Sequence, residues 1–229
     1  MKFEATQGFF LWNFPSQFGG FIMDKISIWE ICGGLFAFLV GAAFHYAFEW
    51  ANYYRGVAWL FAVNESVWEH LKLAFWPLFL FAIPEYYALR KESKNFFFAK
   101  SSAFIIAPAT IMVVFYTYTY FTRNNILFLD ISSFALGIIF AQITADHILH
   151  TRYKGPIIEN ISIAVIGLIM TIFVLFTYFP PNFTLFIDQI VNYGGILSPE
   201  DYGLTIRLNC DIASKNQTTL INIKKYLPD

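Results

Sequence analysis

Two imidazoles, three carboxylates and one ammonium group fall within 28 positions of this chain, between His45 and Lys72. His45 and Glu49 are four residues apart and share one face of a helix. The string Asn64-Glu65-Ser66-Val67-Trp68-Glu69-His70-Leu71-Lys72 follows. Read as helix, its Glu65, Trp68, Glu69 and Lys72 also share a face. Imidazole and carboxylate oxygen together suit zinc, manganese or iron. A catalytic zinc takes three protein ligands and one water. His45, Glu49, Glu69 and His70 are therefore candidate ligands for a divalent transition metal, and Glu65 is the candidate catalytic general base. A second chemistry breaks no bond: the carboxylates relay protons or hold an ion or small solute. A third reading is architectural. Asn64 caps the second helix, and Glu65 in its first turn meets the helix dipole. Glu65, Glu69 and Lys72 then form an ion-pair ladder, and Trp68 anchors an interface. Glu69-His70 has no histidine four residues away, so the string is not a zincin motif.

The elements that carry these groups are apolar. The chain has 229 residues, 57% hydrophobic and 14% charged, with mean hydropathy +0.53. Soluble domains carry about 25% charged residues, so the composition is that of a membrane protein whose first partner is the lipid bilayer. The net charge of −1 offers no basic field for nucleic acid. Cys32 and Cys210 lie too far apart in sequence, and in surroundings too unlike, for a disulfide framework or a metal pair. No cleavable signal peptide is evident.

Crossing the hydrocarbon takes about 20 mostly apolar residues. Five stretches qualify, near 26–49, 65–89, 96–121, 126–147 and 157–179. The expected fold is all-α: an integral membrane bundle of five transmembrane helices. Pro77, Pro84 and Pro108 should kink helices 2 and 3, and Pro180-Pro181 should end helix 5. Residues 23–196 form the transmembrane domain. Residues 1–22 read as an extension, either preceding a start at Met23 or lying at the interface as an amphipathic anchor. Residues 197–229 are a polar tail.

Lysine and arginine fix the orientation. Lys2, Lys25, Arg90, Lys91, Lys94, Lys100, Arg152 and Lys154 fall on one side, while the loops opposite hold Arg55 and Arg123. The expectation is a multi-pass protein of the cell membrane, N-terminus cytoplasmic and C-terminus outside. All five helices then deliver polar groups to the outer face. Helix 1 brings His45 and Glu49, and helix 2 brings Glu65, Trp68, Glu69, His70 and Lys72. Helix 3 ends in Tyr116, Tyr118, Thr119 and Tyr120, helix 4 begins at Asp130, and Asp188 follows helix 5. At the inner end, His147 and His150 are spaced as a metal pair with Asp146 and Glu159 near. Helix C-termini favour cations, so capping accounts for these histidines well.

These residues resemble an uncharacterised prokaryotic family of small polytopic membrane proteins, classed as a domain of unknown function. The likeness rests on His45-x-x-x-Glu49-Trp50, on Phe61-Ala62-Val63-Asn64-Glu65-Ser66-Val67-Trp68-Glu69-His70-Leu71-Lys72-Leu73 with Pro77, and on Tyr116-Thr117-Tyr118-Thr119. It continues through Asp130-Ile131, Phe176-Thr177, Pro180-Pro181, Leu185-Phe186, Asp188 and Tyr193-Gly194. It covers about residues 23–196. Members show histidine where this chain has Asn182 and proline where it has Gln189, and both terminal stretches depart from the family. The resemblance implies the fold and the position of the site, and brings no established activity. Three functions stay open: a membrane protein binding a small solute or ion at the outward His/Glu/Asp cluster, a metal-dependent hydrolase acting on a lipid or peptide near the outer leaflet, and a structural or assembly factor.

Overall fold

A computed structural model describes residues 23–188 and 193–196. Expectations for residues 1–22 and 197–229 lie outside the described residues. The fold is all-helical, with five long helices in chain order: α1 Lys25–Trp50, α2 Val67–Leu89, α3 Phe96–Thr122, α4 Leu127–Leu149 and α5 Pro156–Tyr178. Each has 23 to 27 residues, so each is at least about 34 Å long at 1.5 Å per residue. That exceeds the hydrocarbon thickness of about 30 Å. Among the described residues, α1, α3, α4 and α5 are long and apolar enough to cross a membrane. They fit a multi-pass membrane protein.

Local sequence explains the helix ends. Asp24 caps α1, its carboxylate accepting from the Ser27 amide at 2.8 Å. Gly155 sits at φ +102 before α5, a conformation that glycine adopts without steric cost, and Pro156 opens the helix where no amide is needed. Pro77, Pro84 and Pro108 lie inside continuous helices.

α2 is the most enclosed helix. It buries residues from Trp68 to Leu89, including Phe75, Trp76 and Leu78. α1 packs on α2 and α4, while α3 packs on α2, α4 and α5. Gly41 lets α1 approach closely: a Cβ there would lie 2.5 Å from the Leu73 carbonyl oxygen and 2.6 Å from Phe134. α5 buries only Ser162, Phe173 and Thr177, and exposes Ile157, Ile161, Leu168 and Leu175. Such a face suits a lipid environment. After α5, a short turn at Thr184–Phe186 leads to β1 Ile187–Asp188, paired antiparallel with β2 Tyr193–Gly194. Phe186 tucks beside Trp68, ring centres 4.8 Å apart, and Trp68 also meets Phe173 at 4.8 Å. Trp68 is therefore buried among aromatic rings of the C-terminal segments.

The α2–α3 and α4–α5 connections are clasped together by side chains. Asn95 donates to the Thr151 and Arg152 carbonyls at 3.0 and 3.1 Å and accepts from the Lys154 amide at 3.0 Å. Glu159 accepts from the Phe97 and Phe98 amides at the start of α3. It is an α3 cap, committed away from the histidines that the sequence placed it near.

Candidate functional site

Helix α2 begins at Val67, two residues later than its charge pattern suggests. Ser66 is its cap and accepts from the Glu69 amide at 3.4 Å. Asn64 instead builds a turn, its Oδ1 accepting from the Ser66 amide at 2.9 Å and its Nδ2 donating to the Gly195 carbonyl at 2.9 Å. Asp188 accepts from the Glu65 amide at 2.9 Å. The β1–β2 segment thus fastens the turn before α2. Glu65 lies in that turn, outside the helical face of Glu69 and Lys72, and its carboxylate reaches toward α1.

There it meets two imidazoles. Glu65 Oε1 lies 3.7 Å from His45 Nε2, and Glu65 Oε2 lies 3.5 Å from His70 Nε2. The two rings are 5.2 Å apart centre to centre. His70 Nδ1 is 2.9 Å from the Ser66 carbonyl oxygen, an atom that can only accept. The Nδ1 proton is therefore fixed, and in the neutral ring Nε2 carries a bare lone pair with a carboxylate oxygen 3.5 Å away. Two acceptors face each other, and a cation completes the contact: a proton on Nε2 or a metal ion. His45 Nδ1 is buried without a hydrogen-bond partner, which leaves Nε2 as the engaged atom of that ring.

The donor geometry suits a metal. One atom from each of His45, Glu65 and His70 falls within 4.8 Å of the others. Three tetrahedral ligands at about 2.1 Å from zinc stand about 3.4 Å apart. The 3.5 and 3.7 Å contacts run to different oxygens of Glu65, so a bound ion would draw the three donors inward from within 4.8 Å of one another. Glu65 and His70 are partly exposed, with 49% and 36% of their side-chain surface open, so an ion could enter and keep a water.

The other residues singled out from sequence are placed elsewhere. Glu69 and Lys72 form a buried pair at 2.6 Å. Lys72 Nζ also donates to the Ala58 carbonyl and the Thr177 hydroxyl, each at 2.9 Å, and Glu69 accepts from the Val63 amide at 3.0 Å. Both side chains are committed to locking α2 to α5 and to the loop before α2. Glu49 is exposed at the end of α1 and is not in the His45–Glu65–His70 group. Asp130 accepts a short hydrogen bond from the Tyr118 hydroxyl, joining α3 to α4. At the opposite end of the bundle, His150 pairs with Asp24 and lies near Asp146, while His147 is exposed outside this group.

Sequence reading missed one buried cluster. Lys100 lies inside α3 and is 3% exposed, so it is not an interfacial charge of the inner face. Its Nζ is 2.7 Å from Glu30 of α1 and 2.7 Å from Glu85 of α2. Each of the three is a charged residue inside an apolar run, which was the available signal. Their meeting depends on the register of three helices, which spacing along one chain does not give.

Residues 21–196 match the model of a family described as "Family of unknown function (DUF6512)". The chain belongs to this family. The matched stretch holds every residue of the His45–Glu65–His70 group, the Asp188 that fastens Glu65, and the Glu30–Glu85–Lys100 cluster. No curated protein and no solved structure matches the chain.

Proposed function

We propose that this protein is a multi-pass integral membrane protein that holds a divalent transition metal ion between α1 and α2, with His45, Glu65 and His70 as ligands. All five long helices cross the cell membrane in this reading, with α2 and α3 bent at their prolines. The N-terminus is cytoplasmic, so the metal site faces outward. The observation that carries the reading is the His70 Nδ1 contact with the Ser66 carbonyl. It presents the Nε2 lone pair to the Glu65 carboxylate, the same orienting bond that metal-binding histidines use. Ion binding is favoured over hydrolysis because, among the described residues, no further carboxylate or imidazole joins the His45–Glu65–His70 group to act as a base. Glu65 itself faces both imidazoles, and Glu69 is tied to Lys72.

The test is metal analysis and titration of the protein purified in detergent, with zinc, manganese, iron(II) and cobalt(II) as probes. The expected result is one ion per chain. His70→Ala and Glu65→Gln should each lose it, while Glu49→Gln and Glu69→Gln keep the ligand set. No binding by folded wild-type protein, or equal binding by His70→Ala, refutes the metal site. Single-cysteine labelling at Asn52 and Ser93 tests orientation. Outside reagent should reach Asn52→Cys, and labelling of Ser93→Cys instead would reverse it.

A further inference from the structure

A second charged centre lies toward the other end of the bundle, independent of the metal reading. Glu30, Glu85 and Lys100 come from three different helices, and each is at most 3% exposed. One ammonium faces two carboxylates, with Nζ–O distances of 2.7 Å to both. If both acids were ionised, the cluster would hold a net negative charge, Lys100 being its cation among the described residues. Glu30 Oε2 is buried and has no hydrogen-bond partner. Glu85 Oε1 lies beside the ammonium but lacks a well-directed hydrogen bond. An unpaired charge is costly in such surroundings, and a proton removes it. One proton shared between the two carboxylates leaves the cluster with no net charge.

The surroundings also offer a route. Asp24, the cap of α1, is followed at every third position by Ser27 and Glu30, and Gln142 and Asp146 of α4 are followed at the same four-residue spacing by its cap His150. The two rows meet rung by rung. His150 pairs with Asp24, Ser27 donates to Asp146 at 2.7 Å, and Gln142 donates to the Glu30 carbonyl oxygen at 2.5 Å. Rungs one turn apart are separated by about 5 Å along the axis, a gap that one water can bridge. The lowest rung is open, with side-chain exposures of 50% at Asp24 and 40% at His150. The opposite approach is apolar. There Lys100 borders a cleft of about 260 Å³ whose walls include Phe79, Ile83, Phe97, Phe104 and Ile166. The charged or titratable groups around Glu30 are thus Glu85 from α2, Lys100 from α3 and Asp146 from α4, with Tyr86 of α2 also on the cleft. α5 lends that cleft the apolar Ile163 and Ile166.

We propose that Glu30, Glu85 and Lys100 form a buried proton-binding site that carries one exchangeable proton at neutral pH and communicates with water at the inner end along the α1–α4 seam. A proton from the aqueous side forms an O–H bond on one carboxylate, and the same bond breaks when it returns.

Infrared spectroscopy of the full chain in detergent or nanodiscs tests this at pH 7. Wild type should show a carboxylic-acid carbonyl band that moves to lower frequency in heavy water. Glu30→Gln and Glu85→Gln should each lose that band, because one carboxylate and one ammonium balance without a proton. Lys100→Met should strengthen it, because both acids then protonate. Asp146→Asn should slow the heavy-water shift without removing the band. A wild-type spectrum without the band overturns the site, as does a band of full size in both folded glutamine variants. A band that never shifts in heavy water, or shifts equally fast in Asp146→Asn, overturns the route.

Discussion

Lys72→Met is the most direct test of how this bundle is held together. Lys72 is fully buried, and its Nζ satisfies Glu69, the Ala58 carbonyl and the Thr177 hydroxyl at once. Methionine keeps most of the volume and removes the charge. Glu69, 2% exposed, would keep the Val63 amide but lose its counter-charge, and the Ala58 carbonyl would lose the lysine donor. Breaking a buried ion pair from one side costs about 3–5 kcal/mol. For a chain of this size, 1 kcal/mol moves Tm by about 2–4 °C, so the expected loss is about 6–20 °C. The assay is thermal unfolding in detergent, followed by tryptophan emission, since Trp68 and Trp76 lie on the same helix. Glu69→Gln combined with Lys72→Met separates pairing from packing. The glutamine carbonyl can still accept from Val63, and no charge remains buried. The double variant should be more stable than Lys72→Met alone. If Lys72→Met costs less than about 1 kcal/mol, or the double variant loses the sum of both single losses, the pair is not a buried lock.

Two further outcomes follow from the packing and from the Asp24–His150 contact. Gly41→Ala should destabilise by about 1–3 kcal/mol through overpacking, because its Cβ would strike the Leu73 carbonyl and Phe134, whereas Gly167→Ala meets nothing within 4 Å and should be neutral or slightly stabilising; thermal unfolding of both compares them. The Asp24–His150 contact should be sensitive to pH. Hydrogen bonds with Asp24 and the Asp146 backbone raise the His150 pKa above 6.5. Burial pushes the Asp24 carboxyl up, but hydrogen bonds with His150 and Ser27 outweigh it and hold the group below 3.8. The His150 contribution is complete below pH 6.5 and fades as pH rises through its raised folded value. The Asp24 contribution is complete above pH 3.8 and fades as pH falls through its lowered folded value. The clamp should therefore be strongest between pH 3.8 and 6.5, and His150→Asn should flatten the high-pH decline of Tm.

Helix count and approximate limits were legible in the sequence, because an apolar run long enough to cross lipid is a local property. So was the region of the polar site. His45 and the 64–72 string lie at adjoining ends of consecutive helices, and a short connection brings such ends together. The roles within the site were not legible. Helical spacing put Glu65 and Glu69 on one face. A serine cap moved the helix start to Val67, so Glu65 turned to the imidazoles while Glu69 stayed inside with Lys72.

Asp188 shows the same limit from further away. It stands 123 positions from Glu65 and holds that residue's amide, a contact made by the return of the chain after α5. Lys100 shows it most sharply. By position it read as a basic residue at the inner interface, and its partners are 70 and 15 positions away on other helices. The sequence by itself determined which segments are apolar enough to leave water, since transfer free energy adds along a run. Only the tertiary structure decided which of the charges carried inside would meet, since that depends on the rotation and register of each helix against its neighbours.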